Sequence, residues 1–281
     1  MMRSMGQILS LLSASAIAWV LLMSPAGAEE THPLLNSKYW VKVGVYFVSR
    51  DTGISAAGTV GGAEETIDWD SSAGLDDTSD LFTVELGWQF VEKWDFALQH
   101  WRSSRNARRV LSETIEWEDV EYEVGADVET HMSMTITRLF FSRRFWDKGP
   151  HDLRIGAGMH LIDVGASIRG EATLDDMTTQ FQESLVTAAF PFPDIGAWYR
   201  YSLSDRWLLH ARVDWLSAST SDYAGSIWNV ATGVDYSLTK NLGIGLAYQY
   251  FKLSGTVKED TWRGELHSRY EGFMLSIDGF W

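Results

Sequence analysis

His210 and Asp214 stand four residues apart, a spacing that puts both side chains on one face of an extended chain. A histidine held by a carboxylate is what a general base requires. His100 and Ser104 repeat the spacing with a hydroxyl, the parts of a Ser/His acyl-transfer pair. Asp68, Asp70 and Ser72 alternate as oxygen donors to Ca²⁺ would, but Ala73 stands where an EF-hand loop needs Gly and Ser79 where it needs Glu. A solvated loop is the better reading of that stretch. A larger set of charges (Lys42, Glu85, Arg138, Arg154, Arg200, Arg212, Asp214, Asp235 and Asp278, with His160 and His210) falls at alternate positions inside otherwise apolar stretches. The chain has no cysteine, which excludes disulfides and thiolate-bound metal, and the sequence gives no reason to expect a cofactor or metal.

The elements that must position these groups are legible from the N-terminus onward. Arg3 precedes the apolar run "ILSLLSASAIAWVLLM", and the small residues Ala26 and Ala28 fit an A-x-A cleavage rule. Residues 1–28 therefore read as a cleaved secretory signal peptide, and 29–281 as one exported domain. The formal net charge is −15, which argues against nucleic acid as a partner. After the signal no run approaches the roughly 18 apolar residues of a spanning helix. Entry into a membrane would then require a closed barrel, the other structure that satisfies every backbone group in hydrocarbon.

The alternation meets that requirement. "FTVELGWQF" sets Phe82, Val84, Leu86, Trp88 and Phe90 against Thr83, Glu85, Gly87 and Gln89, and "WNVATGVDYSL" and "LGIGLAYQY" alternate likewise. About ten strands are expected, near 39–50, 80–91, 94–104, 132–146, 152–166, 192–203, 206–216, 226–238, 241–254 and 268–281. Short turns ("FVEKWD", "WDKGPHD", "LSDRW", "LTKNL") alternate with long polar stretches near 51–79, 105–131, 167–190, 217–225 and 255–266. This predicts an all-β, antiparallel, up-and-down transmembrane barrel with short periplasmic turns and long extracellular loops. The acidic first loop has room for additional strands.

The aromatics gather at the same boundaries. Trp40, Trp88, Trp94, Trp146, Trp207, Tyr236 and Trp281 fall near periplasmic ends, as a girdle would. Phe47, Phe82, Trp101, Trp215, Trp228 and Phe273 fall toward the outer ends. The closing segment "RYEGFMLSIDGFW" alternates to its last residue, which suits a closing strand read by outer-membrane insertion machinery.

The stretches "TIDWDSSAGLDDTSDLFTVELGWQF", "LRIGAGMHLIDVGASIRG", "PFPDIGAWYRYSLSDRWLLHARVDW" and "RYEGFMLSIDGFW" carry a resemblance over most of the mature region. The chain resembles a family of uncharacterised outer-membrane β-barrel proteins of Gram-negative bacteria. The resemblance implies a barrel in the outer membrane, beside lipid and lipopolysaccharide, and brings no reaction, ligand or oligomeric state. Alternation points the large charge set into the lumen, either as an ion-pair filling or as the lining of a narrow small-solute pore, since ten strands leave little room. A porin-like or structural envelope role is expected, not an enzyme. The alternatives are a surface adhesion barrel acting through its acidic loops and an outer-membrane hydrolase. Omptin-type proteases share the strand count, but His210 lies three residues past a periplasmic turn, near the wrong end. A lipid A deacylase would use the outward-pointing His100 and Ser104.

Overall fold

Two-residue alternation asks for a sheet with one buried face and one exposed face, and closing the sheet on itself leaves no free edge. The computed structural model describes residues 31–58, 65–68, 78–111, 115–117, 120–174, 177–219, 223–258 and 262–281. The signal-peptide reading and Asp70, Ser72 and Ala73 lie outside the described residues. A 3-10 turn at Pro33–Leu35 leads into β1 (Tyr39–Gly58). The remaining barrel strands are β3 (Thr78–Val91), β4 (Trp94–Val110), β7 (Asp127–Trp146), β8 (His151–Leu174), β9 (Met177–Ser202), β10 (Trp207–Ser219), β11 (Tyr223–Ser237), β12 (Leu242–Lys258) and β13 (Trp262–Phe280).

Each barrel strand pairs antiparallel with its neighbours, and the β8–β9 and β1–β13 ladders close the ring into a ten-stranded up-and-down barrel. At the seam, Tyr39 N–H donates to Trp281 O at 2.8 Å and Trp281 N–H to Tyr39 O at 3.0 Å. The last residue of the chain thus completes the ladder that the first strand begins. The periplasmic turns are short; at Glu92–Lys93, Lys93 adopts the left-handed conformation (φ 69°) that so tight a hairpin demands.

The ten expected strands correspond to the ten observed, with turn-side ends within about two residues. The far ends differ. β9 begins at Met177 rather than near 192, and β8 runs to Leu174. Short strands β2 (Glu65–Asp68), β5 (Ile115–Trp117) and β6 (Val120–Tyr122) add to the sheet beyond the barrel, with β2 paired to β1 from within the acidic first loop. Apolar alternation marks where a strand meets lipid, whereas backbone pairing continues above it through residues such as Leu185 and Val186 of β9 that no longer alternate with polar ones.

The outward face carries an apolar band. On β1 it is Val43, Val45 and Phe47, on β12 Leu242, Ile244 and Leu246, and on β13 Phe273, Leu275 and Ile277, all exposed. A folded barrel of this kind resists detergent until heated, so unboiled protein should migrate faster than boiled protein on a semi-native gel. One band at the unfolded position in both lanes contradicts the closed ring.

Candidate functional site

The lumen is filled in tiers, and the strand alternation that exposes the apolar band sets each tier. At the turn end, the segment before β1 folds into the mouth. His32, Leu34 and Leu35 are buried, and the two leucines pack with Trp40, Ala97, Phe140, Trp198, Leu208 and Phe280. Ser202 of β9 accepts the backbone N–H of His32 at 2.8 Å.

Polar clusters follow. Asp152 lies 3.3 Å from Arg144, 3.0 Å from Arg154 and 3.2 Å from Arg200, and Asp95 takes a second Arg154 contact at 2.8 Å. Lys42 bridges Asp235 at 2.9 Å and Asp278 at 3.5 Å, and His210 reaches Asp235 at 3.0 Å. Arg212 contacts Glu85 at 3.1 Å and Asp214 at 3.7 Å, joining that cluster to the deepest pair, Arg138–Asp214 at 2.7 Å. Asn229 donates to Asp214 at 3.0 Å, and His160 meets Asp194 at 2.8 Å.

Among the described side chains most luminal charges lie beside a group of opposite sign. Lys42, Arg138, Arg144, Arg154, Arg200 and Arg212 lie in ion-pair contact with Glu85, Asp95, Asp152, Asp214, Asp235 and Asp278, His160 faces Asp194, and Arg105 lies higher, against Met132. An unpaired buried ion costs several kcal/mol, so this matching is what makes so charged an interior tolerable. Aromatic faces take up part of the guanidinium surface. Arg138 lies 4.1 Å from the Phe140 ring, itself stacked on Trp198 at 5.5 Å, and Arg154 and Arg200 lie 5.5 and 5.4 Å from Trp40.

Above the polar clusters an apolar plug fills the outer half, with Trp101, Met132, Met134, Ile136, Ile162, Phe251 and Tyr270 among its members. Between the turn-end segment and the charges lies a cavity of about 70 Å³ lined by Leu34, Trp40, Lys42, Glu85, Arg200, His210, Arg212 and Asp235, among others. That volume suits a few waters.

All of the charges singled out by alternation, including His160 and His210, point into the lumen and take part in these contacts. Two aromatics do not stand where a girdle would put them. Trp40 faces inward, because Gly87 lies opposite it and leaves the indole room that a Cβ would occupy. Trp101 also faces inward, 5.1 Å from Tyr270, since its neighbours His100 and Arg102 take the outward positions. Trp88, Trp94, Trp207 and Trp281 are exposed at the turn end, Tyr236 packs on Trp207 at 4.7 Å and Trp146 stacks on His151 at 4.1 Å.

The expected chemical pairs separate. His210 takes Asp235 on the neighbouring strand, while Asp214 serves Arg138, Arg212 and Asn229. His100 points outward to Thr137 Oγ1 at 2.9 Å, and Ser104 lies about 13 Å further along the same strand. Asn229, not a hydroxyl, faces the second ring nitrogen of His160 at 3.5 Å. Asp95, Asp152, Asp194, Arg144 and the His32–Leu35 turn were not singled out by sequence. Asp194 shares the alternation of Trp198 and Arg200 and was within reach of that signal; Asp95 and Arg144 sit beside turns where alternation fades.

A closed antiparallel ring with an apolar exterior and its charges turned inward defines an outer-membrane-type β-barrel. The chain superposes on the outer-membrane protease OmpT of Escherichia coli with a TM-score of 0.57, at 11% identity, over 86% of this chain and 96% of that one. It aligns more loosely with the P. putida toluene transporter TodX (TM-score 0.36, 10% identity, 89% and 92% covered). Alignment with Ail, the attachment invasion locus protein of Yersinia pestis, is looser still (TM-score 0.26, 9% identity, 85% and 98% covered). No protein-family model and no curated protein sequence matches the chain. Likeness at such identity establishes the fold alone.

The Arg138–Asp214 pair is testable as a buried ion pair. Arg138→Met should lower unfolding stability by about 3 kcal/mol, since Asp214 loses its nearest cation and keeps only Arg212 at 3.7 Å and Asn229, and adding Asp214→Asn should recover part of the loss. Urea titration of the refolded single and double variants checks this, and purely additive losses would show the two are not coupled.

Proposed function

We propose that the protein is a non-enzymatic outer-membrane barrel of structural or narrow small-solute type, whose resting lumen is closed. One observation carries the reading: matched ion pairs span the lumen between an apolar plug on the outer side and a docked N-terminal segment on the periplasmic side. An open pore lined by charge would leave those groups exposed to water, whereas here arginine, carboxylate and aromatic ring are buried against one another. The exposed tryptophans at the turn end serve as the periplasmic girdle beside inner-leaflet lipid, and the outer end of the wall meets lipopolysaccharide. The closing strand, hydrogen-bonded to β1 through Trp281, is the segment offered to the insertion machinery. No hydrolase is proposed, because the buried His210–Asp235 pair lies near the turn end and His100 is engaged by Thr137.

Planar-bilayer recording of the refolded protein tests the reading, with an Arg200→Ala, Arg212→Ala variant beside it. Wild type at neutral pH should show no sustained conductance. Sustained steps from wild type would overturn the closed lumen, and a change of ion preference in the variant would then place a filter at those arginines.

A further inference from the structure

The turn-end plug is a short piece of chain held by few contacts. Leu34 and Leu35 supply its apolar anchor, and one ring nitrogen caps the turn: His32 Nδ1 accepts the backbone N–H of Leu34 at 3.2 Å, beside the bonds from Leu35 N–H to His32 O and from Asn36 N–H to Pro33 O. With Nδ1 used as acceptor, the neutral ring carries its proton on Nε2. An imidazolium has hydrogen on both nitrogens and no lone pair left for Leu34. The docked turn and the protonated ring therefore oppose each other.

From this geometry we infer that residues 31–37 form a displaceable periplasmic gate over the luminal cavity, latched by neutral His32 and released when that ring takes a proton. The inference rests on the closed-lumen reading above. Release would uncover a polar chamber open to the periplasm, lined by Lys42, Glu85, Arg200, His210, Arg212 and Asp235, while the outer plug stays in place.

The surroundings of the ring fit a latch that works by acidification. His32 is almost fully buried, its ring 5.6 Å from Phe280, and its Nε2 has no hydrogen-bond partner. Burial is the main influence on its pKa and lowers it from 6.5 to about 4. Asp235 of β11 and Asp205 of the turn after β9 favour the charged ring, and Arg200 of β9 and Lys42 of β1 oppose it. The undocked ring therefore binds a proton more readily than the docked one. Docking is at full strength above about pH 6.5, weakens as pH falls, and loses nothing further below about 4.

The absence of native cysteine makes a single introduced thiol a clean probe. Ala231 lines the cavity, so Ala231→Cys reports its accessibility to a charged, membrane-impermeant thiol reagent. Lys148→Cys, at an exposed periplasmic turn, corrects for the titration of the thiol itself. In refolded full-length mature protein the Ala231→Cys to Lys148→Cys rate ratio should be low at pH 7.5 and rise about thirty-fold by pH 5. With His32→Asn added, whose side-chain oxygen keeps an acceptor for Leu34, the ratio should stay low at both pH values. With Leu34→Asp and Leu35→Asp added it should be high at both, semi-native gels confirming the fold of each variant. A ratio that ignores pH in the His32 protein, a pH response that survives His32→Asn, or protection that survives the leucine changes overturns the gate and leaves the closed lumen standing. Rapid labelling of wild-type His32 protein at pH 7.5 overturns the closed lumen itself.

Discussion

Hydrocarbon offers no hydrogen-bond partner, so every backbone N–H and C=O at membrane depth must find one in the protein. For a chain whose alternation forbids spanning helices, the solution is a sheet with no edge, and the rest of this structure follows from that closure. The β1–β13 seam must bring Trp281 to Tyr39, and the β8–β9 ladder must close the other side of the ring. Once the ring is closed, one residue in two points into a volume too narrow to hydrate freely. The interior must then be filled by side chains that satisfy one another.

The filling uses charge in a way a soluble core rarely does. Arginine supplies nearly all of the luminal cations, and its planar guanidinium can meet a carboxylate at its edge while lying on an aromatic ring with its face. Arg138 does both, held to Asp214 at 2.7 Å and resting on Phe140. Asp152 works in the opposite sense, a single carboxylate among Arg144, Arg154 and Arg200, with Asp95 relieving the excess positive charge. Asp152 and its arginines join neighbouring strands, whereas Arg212 of β10 reaches Glu85 of β3 and Arg138 of β7 reaches Asp214 of β10, tying facing walls of the barrel together.

The apolar groups at the two ends of the lumen are built differently. The outer plug is made of strand side chains and is part of the wall. The inner one borrows Leu34 and Leu35 from a turn that precedes the barrel, joined to the strands by little more than the Ser202 bond and apolar contact. Few contacts mean a low free energy of local opening. The fold shared with OmpT allows such lumens to differ freely, because the wall depends on alternation and not on which residues point inward.

The alternating stretches at 82–90, 228–238 and 242–250, together with the turns and loops between them, were enough to indicate a barrel of about ten strands and the inward direction of Lys42, Glu85, Arg138 and the other alternating charges. These follow from period two, which each strand carries in its own residues. The strand ends away from the turns were not legible, since above the lipid the residues pair without strict apolar alternation. Nor were the partners: that His210 meets Asp235 rather than Asp214, that Trp40, on the same face of β1 as Lys42, finds its space over Gly87, and that His32 seats in the mouth depend on which strands become neighbours and in what register. Sequence by itself determined which residues face inward, because that is a local property of an extended chain. Tertiary structure alone decided what each of them touches, because closing the ring sets the distances across the lumen.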